Sequence, residues 1–134
     1  ALIASAECQV PKVEFMVRKS YGVAADAPNS IGLPDSINLR FGWPSGEWGG
    51  IPIEGGVAAA YRREIEAADD PDAHRLDIEE RLLRLRSPFR AAHKGDVVDL
   101  IDPRETRALA CRFVNLAQPK LAELADRPKR AVRP

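Results

Sequence analysis

Apolar residues at Val13, Phe15 and Val17 alternate with polar ones and predict a strand over 13–17, with Met16 leaving its second face partly apolar. Pro11 stops whatever precedes it, and Lys12, Arg18 and Lys19 flank the strand as solvated ends. A turn at Ser20-Tyr21-Gly22 leads into a short Ala-rich segment, 23–27, which Pro28 ends. After the turn-rich stretch 29–35, Ile37, Leu39 and Phe41 alternate in a second strand. Strand, turn with short helix, strand is a βαβ-like crossover. Residues 1–9 read as the back half of a helix whose front lies outside this chain, because no capping residue precedes the apolar pattern.

Residues 42–56 hold six of the nine glycines, with Trp43 and Trp48 embedded among them. Glycines at this density imply tight turns or a close backbone approach, to a ligand or to another chain. The two tryptophans read as packing or interface residues. From Val57 a helical pattern runs to Ala68, and Asp70-Pro71 restarts it as cap and first helical position. The second helix carries Leu76, Ile78, Leu82, Leu83 and Leu85 and ends before Ser87-Pro88. Asp77–Arg81 and Glu80–Arg84 look like pairs on its exposed face. Val97, Val98, Leu100 and Ile101 make a short buried strand or its approach. Asp102-Pro103-Arg104-Glu105 then has the cap, proline and Glu spacing of a capping box. Leu109, Cys111, Phe113 and Leu116 are expected on or near the buried face of the last helix.

Composition narrows the classes. The chain of 134 residues suits one domain, and 20 Lys+Arg balance 20 Asp+Glu. Zero net charge argues against nucleic acid or an anionic membrane as the main partner. No apolar run approaches the ~20 residues that span a bilayer. Two cysteines, Cys8 and Cys111, fit a reducing, cytoplasmic setting and read as buried, inert thiols. His74 and His93 have no ligand partner at useful spacing and read as surface residues, so no metal site is expected. No Walker loop, dinucleotide fingerprint or nucleophile elbow is present, so side-chain acid–base chemistry has poor support.

One arrangement suits chemistry. After the first strand the chain passes Gly22 and enters a short helix at Val23-Ala24. The first N–H groups of a helix lack intrahelical acceptors, and the helix dipole adds partial positive charge there. Paired amides of this kind stabilise an oxyanion or enolate without any reactive side chain, by ~3–4 kcal/mol per donor in good cases. Small residues at Gly22, Ala24 and Ala25 let a ligand come close.

The order of residues carries a resemblance. Val10-Pro11-Lys12-Val13 followed by Arg18-Lys19-Ser20-Tyr21-Gly22 resembles the "VPK(V/I)…RKAYG" segment of the β-type carboxyltransferase subunits of biotin-dependent acyl-CoA carboxylases. Phe41-Gly42-Trp43-Pro44-Ser45-Gly46-Glu47 resembles their "AWP(T/S)xE", and Ile53-Glu54-Gly55-Gly56-Val57 their "GxxGAV". Arg86-Ser87-Pro88-Phe89-Arg90-Ala91-Ala92 is similar to "NPFxAA", and the stretch from Val98 to Arg107 to "VDDVIxPxxTR". The segments keep the family's order and cover nearly the whole chain.

The resemblance implies an α/β, crotonase-like (ClpP/crotonase) superhelix of ββα units. Residues 1–126 would be the C-terminal part of a carboxyltransferase domain and 127–134 a basic, proline-rich tail. It implies transfer of CO2 from carboxybiotin on a carrier protein to the α-carbon of a short acyl-CoA, propionyl- or acetyl-CoA. In the family, carboxybiotin releases CO2, two backbone N–H groups stabilise the biotin enolate, and the biotin nitrogen then removes the α-proton. This half of the site holds biotin, while an N-terminal carboxyltransferase half binds acyl-CoA where subunits of a homo-oligomer meet. A biotin carboxylase and a biotin carrier subunit are the implied partners, and no metal is required in this chain. The family's "YGGA" aligns with Tyr21-Gly22-Val23-Ala24, so its amide pair falls on Val23 and Ala24. Gly22, Ala25 and Asp26 are the implied substrate-binding neighbours. Val23 replaces a glycine and Pro28 a common Met. The rival reading is a non-catalytic crotonase-like assembly domain in which these two residues have closed the biotin pocket.

Overall fold

The structure, a computed structural model, describes residues 8–23 and 36–125. Five strands alternate with helices among them: β1 (Lys12–Met16), β2 (Lys19–Tyr21), β3 (Asn38–Gly42), β4 (Glu47–Gly49) and β5 (Asp99–Leu100). The helices are α1 (Ile53–Ala60), α2 (Arg62–Glu66), α3 (Pro71–Leu85), α4 (Pro88–Lys94) and α5 (Thr106–Ala125). The 3-10 turn Pro103–Glu105 precedes α5.

The strands form two parallel sheets, one ordered β1-β3-β5 and the other pairing β2 with β4. Each of the first two units therefore lays one strand in each sheet and then turns to a helix. Gly22 and Val23 take helical positions straight after β2, and α1 follows β4. This is the ββα repeat implied by the resemblance. It meets the expected crossover, since parallel neighbours need a long connection out of the sheet. In the larger sheet Phe15 stands opposite Phe41 with ring centroids 5.7 Å apart, and Glu14 opposite Arg40. Arg40 Nε donates to Glu14 Oε2 at 2.8 Å, so the charged face of these strands is paired where it is largely buried.

Three expectations need correcting. Ser20 and Tyr21 belong to a strand, not a turn, because Lys19–Tyr21 finds a partner in Glu47–Gly49 across 26 or more residues. Val17 lies beyond the end of β1 and is exposed rather than on the buried face. On α5 the buried positions are Phe113 and Ala117, one turn apart, which turns Leu116 and Cys111 outward. Cys8 is half-buried. Cys8 and Gln9 lie outside any helix, and residues 1–7 and the tail from 126 lie outside the described residues.

The helix starts are where their chemistry places them. Asp70 accepts a bond from the Ala73 N–H at 3.0 Å with Pro71 at the first position. Asp102 and Glu105 make the reciprocal capping box. The helical pattern from Val57 is broken at Tyr61, whose φ of −107° and ψ of 17° divide α1 from α2. Ile53, Val57 and Ile78 form the core between α1 and α3, with Ile51, Tyr61, Ile65 and Leu82 packed around them.

Candidate active site

In parallel α/β architectures ligands gather beyond the carboxyl ends of the strands, where loops and helix N-termini converge. The smaller sheet ends at Tyr21 and Gly49, and a cleft of about 380 Å³ opens there between the strand ends, α3 and α4. Its floor is glycine. Gly22 has φ of +63°, a conformation that costs an L-residue about 1–2 kcal/mol. A Cβ on Gly22 would stand 3.3 Å from the Gly50 carbonyl oxygen. Position 22 is therefore glycine for two reasons, the backbone angle and the closeness of the facing strand end.

A polar cluster fixes this floor. The Tyr21 hydroxyl donates to Glu47 Oε2 at 2.9 Å, and Arg86 Nη1 donates to the same oxygen at 3.2 Å. The Trp48 N–H donates to the Arg86 carbonyl at 3.1 Å. Together these bonds tie β2, β4 and the α3–α4 junction. Glu47, which sequence alone left between ligand contact and loop cap, ties strands to helices. Burial pushes the Tyr21 hydroxyl above its ordinary 10.0, and its bond to Glu47 pushes the same way. The folded state thus holds the Tyr21 proton more tightly than the unfolded chain does. Its contribution to stability is complete below the unfolded value and is lost as pH rises through the higher folded one. Urea unfolding across the alkaline range should show stability falling with pH above the ordinary tyrosine value, with a shallower fall in Tyr21→Phe. An unchanged slope in the variant would remove Tyr21 from this account.

Of the residues expected to form the site, Gly22 lines the cleft. Val23 stands beside it, 63% exposed and not part of the lining, so its methyls do not fill the hollow. Ala24, Ala25, Asp26 and Pro28 lie outside the described residues. Sequence reasoning missed Ser20, Arg86, Arg90 and Lys94, all of which line the cleft. The i,i+4 spacing of Arg90 and Lys94 behind the Pro88 helix start was the one available signal.

The remaining candidates fall away from this place. His74 Nε2 lies 3.0 Å from Glu64 Oε1 between α2 and α3, and His93 is exposed near the end of α4. Trp43 donates through Nε1 to Thr106 Oγ1 at 3.0 Å, which joins the glycine-rich loop to the start of α5. Among the described residues no group of three or more His, Cys, Asp or Glu could hold a metal ion. Nor is any described helix long and apolar enough to cross a membrane.

The model of the carboxyl transferase domain family matches residues 1–132. The chain belongs to the carboxyl transferase domain family. A propionyl-CoA carboxylase carboxyltransferase subunit of Haloferax mediterranei is 41% identical over 107 residues, which are 79% of this chain and 20% of that protein. The crystal structure of transcarboxylase 12S, a hexamer with methylmalonyl-coenzyme A and methylmalonic acid bound, superposes with a TM-score of 0.66 at 32% identity. That match covers 98% of this chain and 24% of the 12S chain. The β subunit of Pseudomonas aeruginosa geranyl-CoA carboxylase has a TM-score of 0.72 at 20% identity and shares the fold, covering 98% of this chain and 25% of its own. The α/β, crotonase-like fold class follows. The chain spans about a fifth to a quarter of the length of these relatives.

Proposed function

We propose that this chain is the biotin-side part of the carboxyltransferase component of an acyl-CoA carboxylase, with a short acyl-CoA such as propionyl- or acetyl-CoA as acceptor. The observation that carries the reading is Gly22. In a chain of this family, it is a glycine at positive φ, closed against the Gly50 carbonyl and opening a helix at the carboxyl ends of two parallel strands. A cradle that a Cβ would fill fits a group brought close to the backbone.

Carboxybiotin, when bound, supplies the CO2. The part assigned to this chain is electrostatic. The amides of Val23 and Ala24 receive the negative charge that develops during transfer, in a position fixed before the reaction starts. Gly22 gives access, and Ala25 and Asp26 border the bound group. The exposure of Val23 and its absence from the cleft lining favour this reading over a closed, non-catalytic assembly domain. Residues 1–126 then form the carboxyltransferase part and 127–134 a basic tail. An N-terminal half supplies the acyl-CoA side within a cytoplasmic homo-oligomer served by a biotin carboxylase and a biotin carrier.

The test is incorporation of labelled bicarbonate into propionyl-CoA. It is measured with this chain, an N-terminal carboxyltransferase half, biotin carboxylase and biotinylated carrier, together and with each left out. Product is expected only in the complete mixture. A mixture in which the halves associate and no product forms overturns the assignment in favour of an assembly domain.

A further inference from the structure

We propose that the cleft beyond β2 and β4 holds a subsite for an amphipathic anion, a carboxylate or phosphate monoester on a short apolar chain, with Arg86, Arg90 and Lys94 receiving the charged head. The proposal does not depend on carboxyl transfer, because a chain that moves no CO2 would still bind such a molecule.

The charge is the first reason. Arg90 and Lys94 lie one turn apart on α4, and both are exposed cleft-lining residues that make no ion pair among the described residues. Arg86 is anchored through Nη1 on Glu47, so its guanidinium is held at the same wall rather than swinging in solvent. Asp96 is the only carboxylate in the lining, against three cations. Elsewhere on these helices cations are matched along the surface, as in Arg62–Glu66, Arg75–Glu79 and Arg84–Glu80. The cleft is where matching stops.

Unmet hydrogen bonding is the second reason. Ser20 is 3% exposed and lines the cleft, and its Oγ has no partner. Trp48, also in the lining, leaves its buried Nε1 without an acceptor. Buried polar atoms are nearly always satisfied, and a pair of orphans in one cleft marks a place that a ligand or ordered water completes. Ser20 also stands where the family segment has alanine, so the hydroxyl is this chain's own addition. The third reason is the wall between them. Ile51, Leu82 and Leu85 supply apolar surface, and the cleft volume is within the range of small-molecule sites.

The experiment titrates the isotope-labelled full chain with hexanoate, hexyl phosphate and hexanol, following backbone amides and the Trp48 indole N–H. Either anion should give saturable shifts at Gly22, Gly50 and the Trp48 indole, and the tighter of the two identifies the head group. Hexanol should shift these signals far less at the same concentration. The double variant Arg90→Ala/Lys94→Ala should weaken anion binding by about ten-fold, as loss of two charge-assisted contacts implies. Both side chains are exposed, so the variant keeps its fold, which its amide spectrum verifies. Equal binding of hexanol and the anions, an unchanged affinity in the double variant, or no saturable shift with either anion would each overturn the proposal.

Discussion

Gly22→Ala should lower carboxylation in the reconstituted enzyme by about 100-fold, the scale expected when one preorganised oxyanion donor is lost. Its stability cost should be only ~1–2 kcal/mol. The backbone at residue 22 sits at φ of +63°, and a methyl there meets the Gly50 carbonyl oxygen at 3.3 Å. The residue can relieve both by rotating its peptide planes, and the next amide along is that of Val23. Strain alone cannot mimic this result if Gly55→Ala is the control. Gly55 has φ of +80° with no atom within 4 Å of an added Cβ, so it shares the strain without the contact. Gly55→Ala should therefore cost about the same ~1–2 kcal/mol and leave carboxylation near the parent rate. Steady-state carboxylation and urea unfolding of both variants check this. Activity of Gly22→Ala within a few-fold of the parent would remove the Val23 and Ala24 amides from the chemistry.

The residues differ in how openly they announce their roles. Alternation over 13–17 and 37–41 located β1 and β3 because a strand buried on one face repeats every second residue. The Asp70-Pro71 and Asp102–Glu105 starts were legible for a related reason, since a cap acts within three or four residues. β2 and β4 were not, because strands of three residues carry no usable period and Ser-Tyr-Gly has the composition of a turn. Only pairing with each other makes them strands. The break at Tyr61 left no mark in a continuous run of helix formers. The same rule separates the parts of the candidate site. Gly22 was legible because a strand, a glycine and a helix start are consecutive. Arg86, Arg90 and Lys94 were not, because their meeting with Ser20 and Gly22 depends on a fold that spans more than 60 residues of sequence.

Ile78→Ala should be the most damaging single truncation in the helical layer, costing about 2–5 kcal/mol in urea unfolding. Ile78 is fully buried at the centre of α3, where it meets Ile53 and Val57 of α1. Losing the side chain removes its transfer energy and leaves a cavity that two helices joined through Tyr61 and α2 cannot readily close. Leu76→Ala, two residues away and 58% exposed, should stay within ~0.5 kcal/mol of the parent. The consequence reaches the cleft through Leu82, which packs on this cluster one turn further along α3 and also lines the cleft wall. A loosened Ile78 site should therefore raise amide exchange at residues 82–86 as well as lower the unfolding midpoint. A loss below about 1 kcal/mol would mean that α1 and α3 are held together elsewhere. The cleft wall would then be fixed mainly by the Glu47 bonds to Tyr21 and Arg86, not by the apolar core behind it.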